Sequence, residues 1–263
     1  MPKEPDYNGP AIKTERLVKS FENKQVLRGV DLTVKTGEVV VVIGTSGCGK
    51  STLLRSIIGA YSLDAGRVML LGRDVTNFSE EDWLPLRKRI GVLFQNGALY
   101  TSMTVGENVA LPLREHTRLD DAVIEIMVRM KLDLVGLGGA EDLMPAQLSG
   151  GMQKRVALAR ALALDPEVMF YDEPTTGLDP IMAGTVNRLI TDFNRKLGVT
   201  SLVITQDMNC CFAVADRVVM LHEGRVHFTG TVQELKSSSD AVVSQFVEGK
   251  PEGPIVHQPA ATA

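Results

Sequence analysis

Apolar residues fall along this chain in two periodicities. Short, unbroken β-branched runs alternate with stretches whose apolar positions recur every three or four residues. Val39-Val40-Val41-Val42-Ile43 is the purest of the runs, and residues 51–58 after it are helix-like. Five consecutive apolar residues suit a strand covered on both faces. Residues 11–43 carry strand-like runs broken at Asn23 and at Thr36-Gly37, and residues 66–71 and 90–94 are further strand candidates. From Thr104 to about Ala163 the texture becomes helical. There Val123, Met127 and Met130, with Ile124 and Ile126 beside them, recur at helical spacing and are expected to face the core. Asp120 and Asp121 suit the N-terminal end of that helix. Strand character returns at 168–171 and 201–204, with helical stretches near 180–196 and 207–215.

This alternation predicts an α/β fold with a mainly parallel sheet covered on both faces. The expected organisation is a loose arm over 1–10, then a core over 11–95 and 164–236 with an antiparallel β subdomain. A helical block over 96–163 is inserted in that core, and residues 237–263 form a C-terminal helix and tail. The tail from Gly249 is rich in Pro, Gly and Ala and is expected to be extended or disordered.

A chain of 263 residues is long enough to bury a large core. Its net charge of −4 gives no broad electrostatic case for nucleic acid. No apolar run approaches the roughly 20 residues of a membrane-spanning helix. The start, MPKEPDYNGPA, lacks the apolar segment of a secretory signal. Three cysteines, Cys48, Cys210 and Cys211, are an odd, sparse set that argues against a disulfide framework and fits a reducing compartment. Cys210 and Cys211 read as small packing residues on a helix.

Residues 44–51 read GTSGCGKS, which matches G-x-x-x-x-G-K-[ST] between a strand and a helix. Gly44, Thr45, Ser46, Gly47, Cys48 and Gly49 can curl so that successive N–H groups face a polyphosphate. Ser51 and Thr52 open the helix, whose N-terminal end adds positive potential. Lys50 is expected to reach the β- and γ-phosphates of a nucleotide, and the Ser51 hydroxyl to ligate Mg²⁺. Further on, VMFYDE at 168–173 is an apolar run ending in two carboxylates. Asp172 is assigned to hold Mg²⁺ and Glu173 to orient or deprotonate the attacking water. LSGGMQ at 148–153 places Ser149, Gly150 and Gly151 at a helix start, with Gln153 following, a second anion-binding end. One phosphate loop needs no second such end for the same nucleotide in cis, so this segment is assigned to the nucleotide of another copy.

GTSGCGKS, LSGGMQ and VMFYDEPTTGLDP at 168–180, in that order along the family's pattern, resemble the ATP-binding cassette ATPases over about residues 11–236. The resemblance implies a P-loop NTPase core and a head-to-tail homodimer with two ATP sandwiched between the phosphate loop of one subunit and LSGGMQ of the other. It places Phe21 where an aromatic stacks on adenine. It places Gln95, in LFQNGAL, where a glutamine touches Mg²⁺ and water and senses the transport partner. Asp179 falls at the aspartate that crosses the dimer interface. As bland alternatives, Phe21 is core, and Gln95 and Asp179 are loop caps. One departure matters: where the family has a histidine contacting the γ-phosphate, this chain has Gln206. A glutamine amide donates a hydrogen bond but cannot become cationic, so ATP binding is expected to survive while hydrolysis slows.

FQNGALY (94–100) with NVALPLREHT (108–117), and the tail QFVEGKPEGPI (245–255), further resemble the ATPases of lipid transporters of the Mla and Mce type. That implies a cytoplasmic motor on the inner membrane beneath a permease. The permease would dock on the helical subdomain around 95–114, with a substrate-binding component beyond it and phospholipid or a related molecule as cargo. In that group the tail steadies the dimer, but this tail lacks the aromatics usual beyond its Gly-Pro. The alternatives are an importer of amino acids or metal complexes, or an ATP-switched module with little turnover.

Overall fold

The computed structural model describes residues 9–22 and 24–256. Residues 1–8 of the expected arm over 1–10, the break at Asn23 and residues 257–263 of the tail lie outside them. Ten strands and nine α-helices are formed among the described residues. β1 (Ile12–Phe21) and β2 (Lys24–Val34) form a long antiparallel pair, which β3 (Val39–Ile43) follows after a turn at Thr36-Gly37. β4 (Ala65–Leu70) and β5 (Arg73–Asp74) complete an antiparallel sheet in the order β2-β1-β4-β5. β6 (Ile90–Leu93), β7 (Val168–Asp172), β8 (Thr200–Ile204), β9 (Arg217–His222) and β10 (Arg225–Gly230) join β3 in a second sheet, ordered β10-β9-β3-β8-β7-β6. It is parallel from β9 to β6, and β10 turns back antiparallel at one edge. Every residue of β3, β7 and β8 is buried, as their unbroken apolar runs require.

The helices are α1 (Lys50–Ile57), α2 (Glu80–Arg87), α3 (Val105–His116), α4 (Asp121–Leu134), α5 (Gly150–Ala161), α6 (Pro180–Leu197), α7 (Met208–Val214), α8 (Val232–Lys236) and α9 (Ala241–Glu248). Between β6 and β7 the chain is helical, with α3, α4 and α5 packing against one another. Thr104 starts α3 with a capping box, its hydroxyl accepting from Glu107 N–H while Glu107 reaches back to Thr104 N–H at 2.8 Å. Arg217 ties the two sheets together, since it pairs with Glu38 at 2.7 Å and donates to the carbonyl of Thr33 in β2.

Two expectations need correction. The expected apolar stripe of α4 is core only in part, with Met127 half-buried against the core. Ile124, Val128 and Leu132 are buried, whereas Val123, Ile126, Met130 and Leu134 are 40–61% exposed. α4 carries apolar residues on two faces, and only one is covered. Over its described part, 249–256, the tail is not extended. The side chain of Gln245 in α9 accepts from Ile255 N–H at 2.6 Å and donates to Ile255 O at 3.1 Å, which folds 249–255 back and buries Ile255 in the main core.

Cys210 and Cys211 are fully buried on α7, and burial pushes both thiols up to about 12. Cys48 is 6% exposed, and burial raises its thiol too. Thiolates are the reactive form. We expect the native protein to react slowly with a chromogenic thiol reagent at neutral pH and all three thiols to appear on unfolding. Fast labelling of two thiols in the native protein would contradict this packing.

Candidate functional site

The parallel sheet gathers the sequence-predicted residues because its strands end in register. Val42 pairs with Ile204, Ile204 with Asp172, and Tyr171 with Leu93. The chain after β3 is the phosphate loop, after β6 it is Gln95, after β7 it is Glu173, and after β8 it is Gln206. Loops outside the carboxyl ends of adjacent parallel strands are the usual ligand seat of such sheets.

The loop's tightness is written in its backbone. Gly44 has φ +148°, and a Cβ there would stand 2.3 Å from the carbonyl oxygen of Leu221. Gly49 opens α1 in the left-handed region, φ +110°. Lys50 is 5% exposed, its ammonium donating to Gly44 O at 2.7 Å and Thr45 O at 2.9 Å. The Ser51 hydroxyl donates to Asp172 Oδ1 at 3.1 Å. Two oxygen ligands side by side, one of them a carboxylate 3% exposed, are the donor set a hard divalent cation accepts.

Glu173 sits at the start of the following turn with φ +49°, unusual for a non-glycine residue. Its N–H donates to Ile204 O at 2.8 Å. Its carboxylate is held on both oxygens. Oε1 accepts from Gln206 Nε2 at 3.3 Å. Oε2 accepts from Thr176 Oγ1 at 3.2 Å, Thr205 Oγ1 at 3.3 Å and Gln206 N–H at 3.3 Å. The departure noted in the sequence, Gln206, is thus a direct hydrogen-bond partner of Glu173.

Other predicted residues lie elsewhere or do double duty. Phe21 is 39% exposed, which excludes the core alternative, and Tyr61 meets it edge-on with centroids 5.1 Å apart. Gln95 is exposed, while its carbonyl accepts from Lys154. Ser149 is the N-cap of α5, accepting from Met152 N–H. Gln153 donates back to Pro145 O and Leu148 O. Asp179 caps α6, accepting from Ile181 and Met182 N–H at 2.9 and 3.0 Å. In one protomer these last residues therefore act as caps, and Ile181 beside Asp179 is 81% exposed. Sequence reasoning missed Tyr61, Thr205, Thr176 and Lys154. Thr205 could have been found from its place next to Gln206, whereas Tyr61 and Lys154 carried no signal of their partners.

Comparison with known proteins identifies the family. Residues 27–176 match the family described as ABC transporter. The chain is 40% identical over 94% of both chains to the intermembrane phospholipid transport system ATP-binding protein MlaF of Haemophilus influenzae. It is 41% identical to the probable ribonucleotide transport ATP-binding protein mkl of Mycobacterium leprae, over 94% of this chain and 71% of that one. Among solved structures it resembles the dimeric post-hydrolysis state of the ATP-binding cassette MJ0796 bound to ADP and Pi. The TM-score is 0.78 at 30% identity, covering 84% of this chain and 98% of that one. The chain belongs to the ABC transporter family and is one of its ATP-binding, ATP-hydrolysing cassettes.

Proposed function

We propose that this cassette powers a membrane permease for phospholipid by closing, as a homodimer, around two ATP molecules. The single observation that carries the catalytic part is the cluster of Lys50, Ser51, Asp172, Glu173 and Gln206 on one edge of the sheet. In this reading Lys50 and residues 44–49 grip the phosphates. Phe21, braced by Tyr61, gives the adenine a face to stack on. Ser51 and Asp172, with Gln95, would hold Mg²⁺, which supplies charge neutralisation on the phosphate oxygens. Glu173 orients the attacking water. Ser149, Gly150 and Gly151 at the start of α5, with Gln153 behind them, meet the nucleotide of the other copy. Asp179 and the exposed Ile181 lie at the dimer interface.

The permease docks on a groove of about 570 Å³ beside Gln95, lined by Phe94, Tyr100, Leu111, Pro112 and His116. Phe94 and Tyr100 are 39% and 52% exposed, the aromatic anchors such a contact uses. Tyr100→Glu is expected to lower copurification of the membrane subunit about tenfold with ATP affinity retained, and unchanged copurification would move the contact elsewhere. Among the described residues no helix is long and apolar enough to cross a membrane. The protein then works peripherally, at the cytoplasmic face of the inner membrane.

The relatives split between phospholipid and ribonucleotide in their names at nearly equal identity. The lipid reading rests on the likeness at 94–117 and 245–255 to the Mla and Mce group. Purification of the cassette with its membrane subunit, followed by mass spectrometry of the bound cargo, tests it: phospholipid supports the reading, and nucleotide without lipid overturns it. Hydrolysis is slow in this reading because Gln206 cannot carry charge toward the γ-phosphate. Gln206→His should raise turnover roughly tenfold, and wild-type turnover equal to or above the variant's would sink this part.

A further inference from the structure

Lys154 touches two segments of the site, the Gln95 loop and the backbone of Glu173. It lies one turn into α5 and is 6% exposed. Its ammonium donates to two backbone carbonyls, that of Gln95 and, at 3.4 Å, that of Glu173. Burial pulls its pKa below the usual lysine range, and the Asp172 and Glu173 carboxylates oppose that pull. A buried ammonium spent on carbonyls is an unusual expenditure for a surface-type residue, because desolvating the charge is unfavourable. It needs a structural reason.

That reason is visible at Glu173. A glutamate at φ +49° persists only where its surroundings over-determine it. Its N–H is fixed to Ile204 O, and its carbonyl accepts from Thr176 N–H at 3.3 Å and from Lys154. On the other side, α5 holds the Gln95 loop at a second point. Arg160 donates to Gly97 O and Ala98 O, both at 2.8 Å. The loop after β6 is therefore carried on α5, and Lys154 joins both to the backbone of Glu173.

We infer that Lys154 is a positioning residue that makes the geometry of Glu173 conditional on where α5 and the Gln95 loop sit. The inference rests on the reading that Glu173 orients the attacking water. In that reading the start of α5 meets the nucleotide held by the other copy, and the Gln95 loop borders the permease groove. Both events then reach Glu173 through one ammonium. A displacement of about 1 Å at a reacting group is enough to change a rate by roughly a hundredfold, so two hydrogen bonds suffice as a gate.

The test uses the full-length chain with Lys154→Met, which keeps the length and removes the donors, and Lys154→Arg, which keeps the charge and can still reach carbonyls. Turnover of ATP, affinity for a fluorescent ATP analogue and amide hydrogen exchange are measured on each. For Lys154→Met the expected result is a fall in kcat of about 10- to 100-fold with analogue affinity retained. Exchange should rise together at 95–98 and 173–176. Lys154→Arg should recover most of kcat. Turnover unchanged in Lys154→Met, or exchange rising in only one of the two segments, overturns the inference. If Lys154→Met does not fold, Lys154→Arg decides alone: wild-type exchange in both segments supports the link, and loosening at 173–176 with wild-type kcat refutes it. Glu173→Gln run in parallel separates the two levels. Retained turnover there removes the reading of Glu173 itself, while lost turnover beside an unaffected Lys154→Met removes only the role of Lys154.

Discussion

Glu173→Gln should leave a folded protein that binds ATP and almost ceases to hydrolyse it. The side chain changes by one atom, and its hydrogen bonds can be remade. One oxygen can keep accepting from Thr176, Thr205 and the Gln206 N–H. The introduced amide nitrogen can donate to Gln206, provided the Gln206 amide turns to present its oxygen where its nitrogen now faces Glu173 Oε1. Stability should therefore change by less than about 1 kcal/mol. What is lost is the capacity to take a proton from water, a contribution of about 10²- to 10⁴-fold in rate. With hydrolysis blocked, ATP should accumulate on the protein and hold two copies together. Phosphate release and size-exclusion chromatography with ATP check the two halves of this prediction. A variant that turns over within about tenfold of wild type would place the water-activating group elsewhere.

The contacts of Glu173 also show where sequence stops being informative. The strand runs at 39–43 and 168–172 could be read directly, because strands buried on both faces need unbroken apolar residues. The motif after the first run marked the phosphate loop and the two carboxylates ending the second marked Asp172 and Glu173, and the parallel sheet brings them together because loops after parallel strands share an edge. Side-chain partnership across that edge could not be read. Nothing in the run KRVALARA after Gln153 distinguishes Lys154 from an ordinary solvent-facing lysine. Its burial is set by the approach of α5 to the ends of β6 and β7. α4 failed differently. Helical spacing says which residues share a face but not whether another element covers it, and Ile124 and Met130 have opposite fates on one helix. At the tail, a Pro-Gly-rich composition suggested an extended chain. One buried glutamine, Gln245, captures both backbone groups of Ile255 and reverses that outcome.

Lys50→Met is expected to weaken ATP binding about a hundredfold and to loosen the phosphate loop before any nucleotide arrives. The size of the first effect is a difference between two states. Free of nucleotide, the ammonium is already satisfied by Gly44 O and Thr45 O at 2.7 and 2.9 Å. Bound, it faces phosphate oxygens carrying full negative charge. Both sets of hydrogen bonds are charge-assisted, and what phosphate adds is a charge–charge attraction of about 4 kcal/mol at an effective dielectric of about 20; giving up the carbonyls leaves a net gain of about 3 kcal/mol, and 1.4 kcal/mol is tenfold in affinity. The second effect follows from the same two bonds. Methionine fills the space of a side chain only 5% exposed but leaves both loop carbonyls without that donor. Amide exchange over 44–50 should therefore rise in the nucleotide-free variant, while the β1–β2 pair exchanges as in wild type. Equilibrium binding of a fluorescent ATP analogue measures the first effect. Affinity within about threefold of wild type would mean that the curled backbone and the end of α1 hold the phosphates unaided, and the clasp formed by Lys50 would then be a packing device alone.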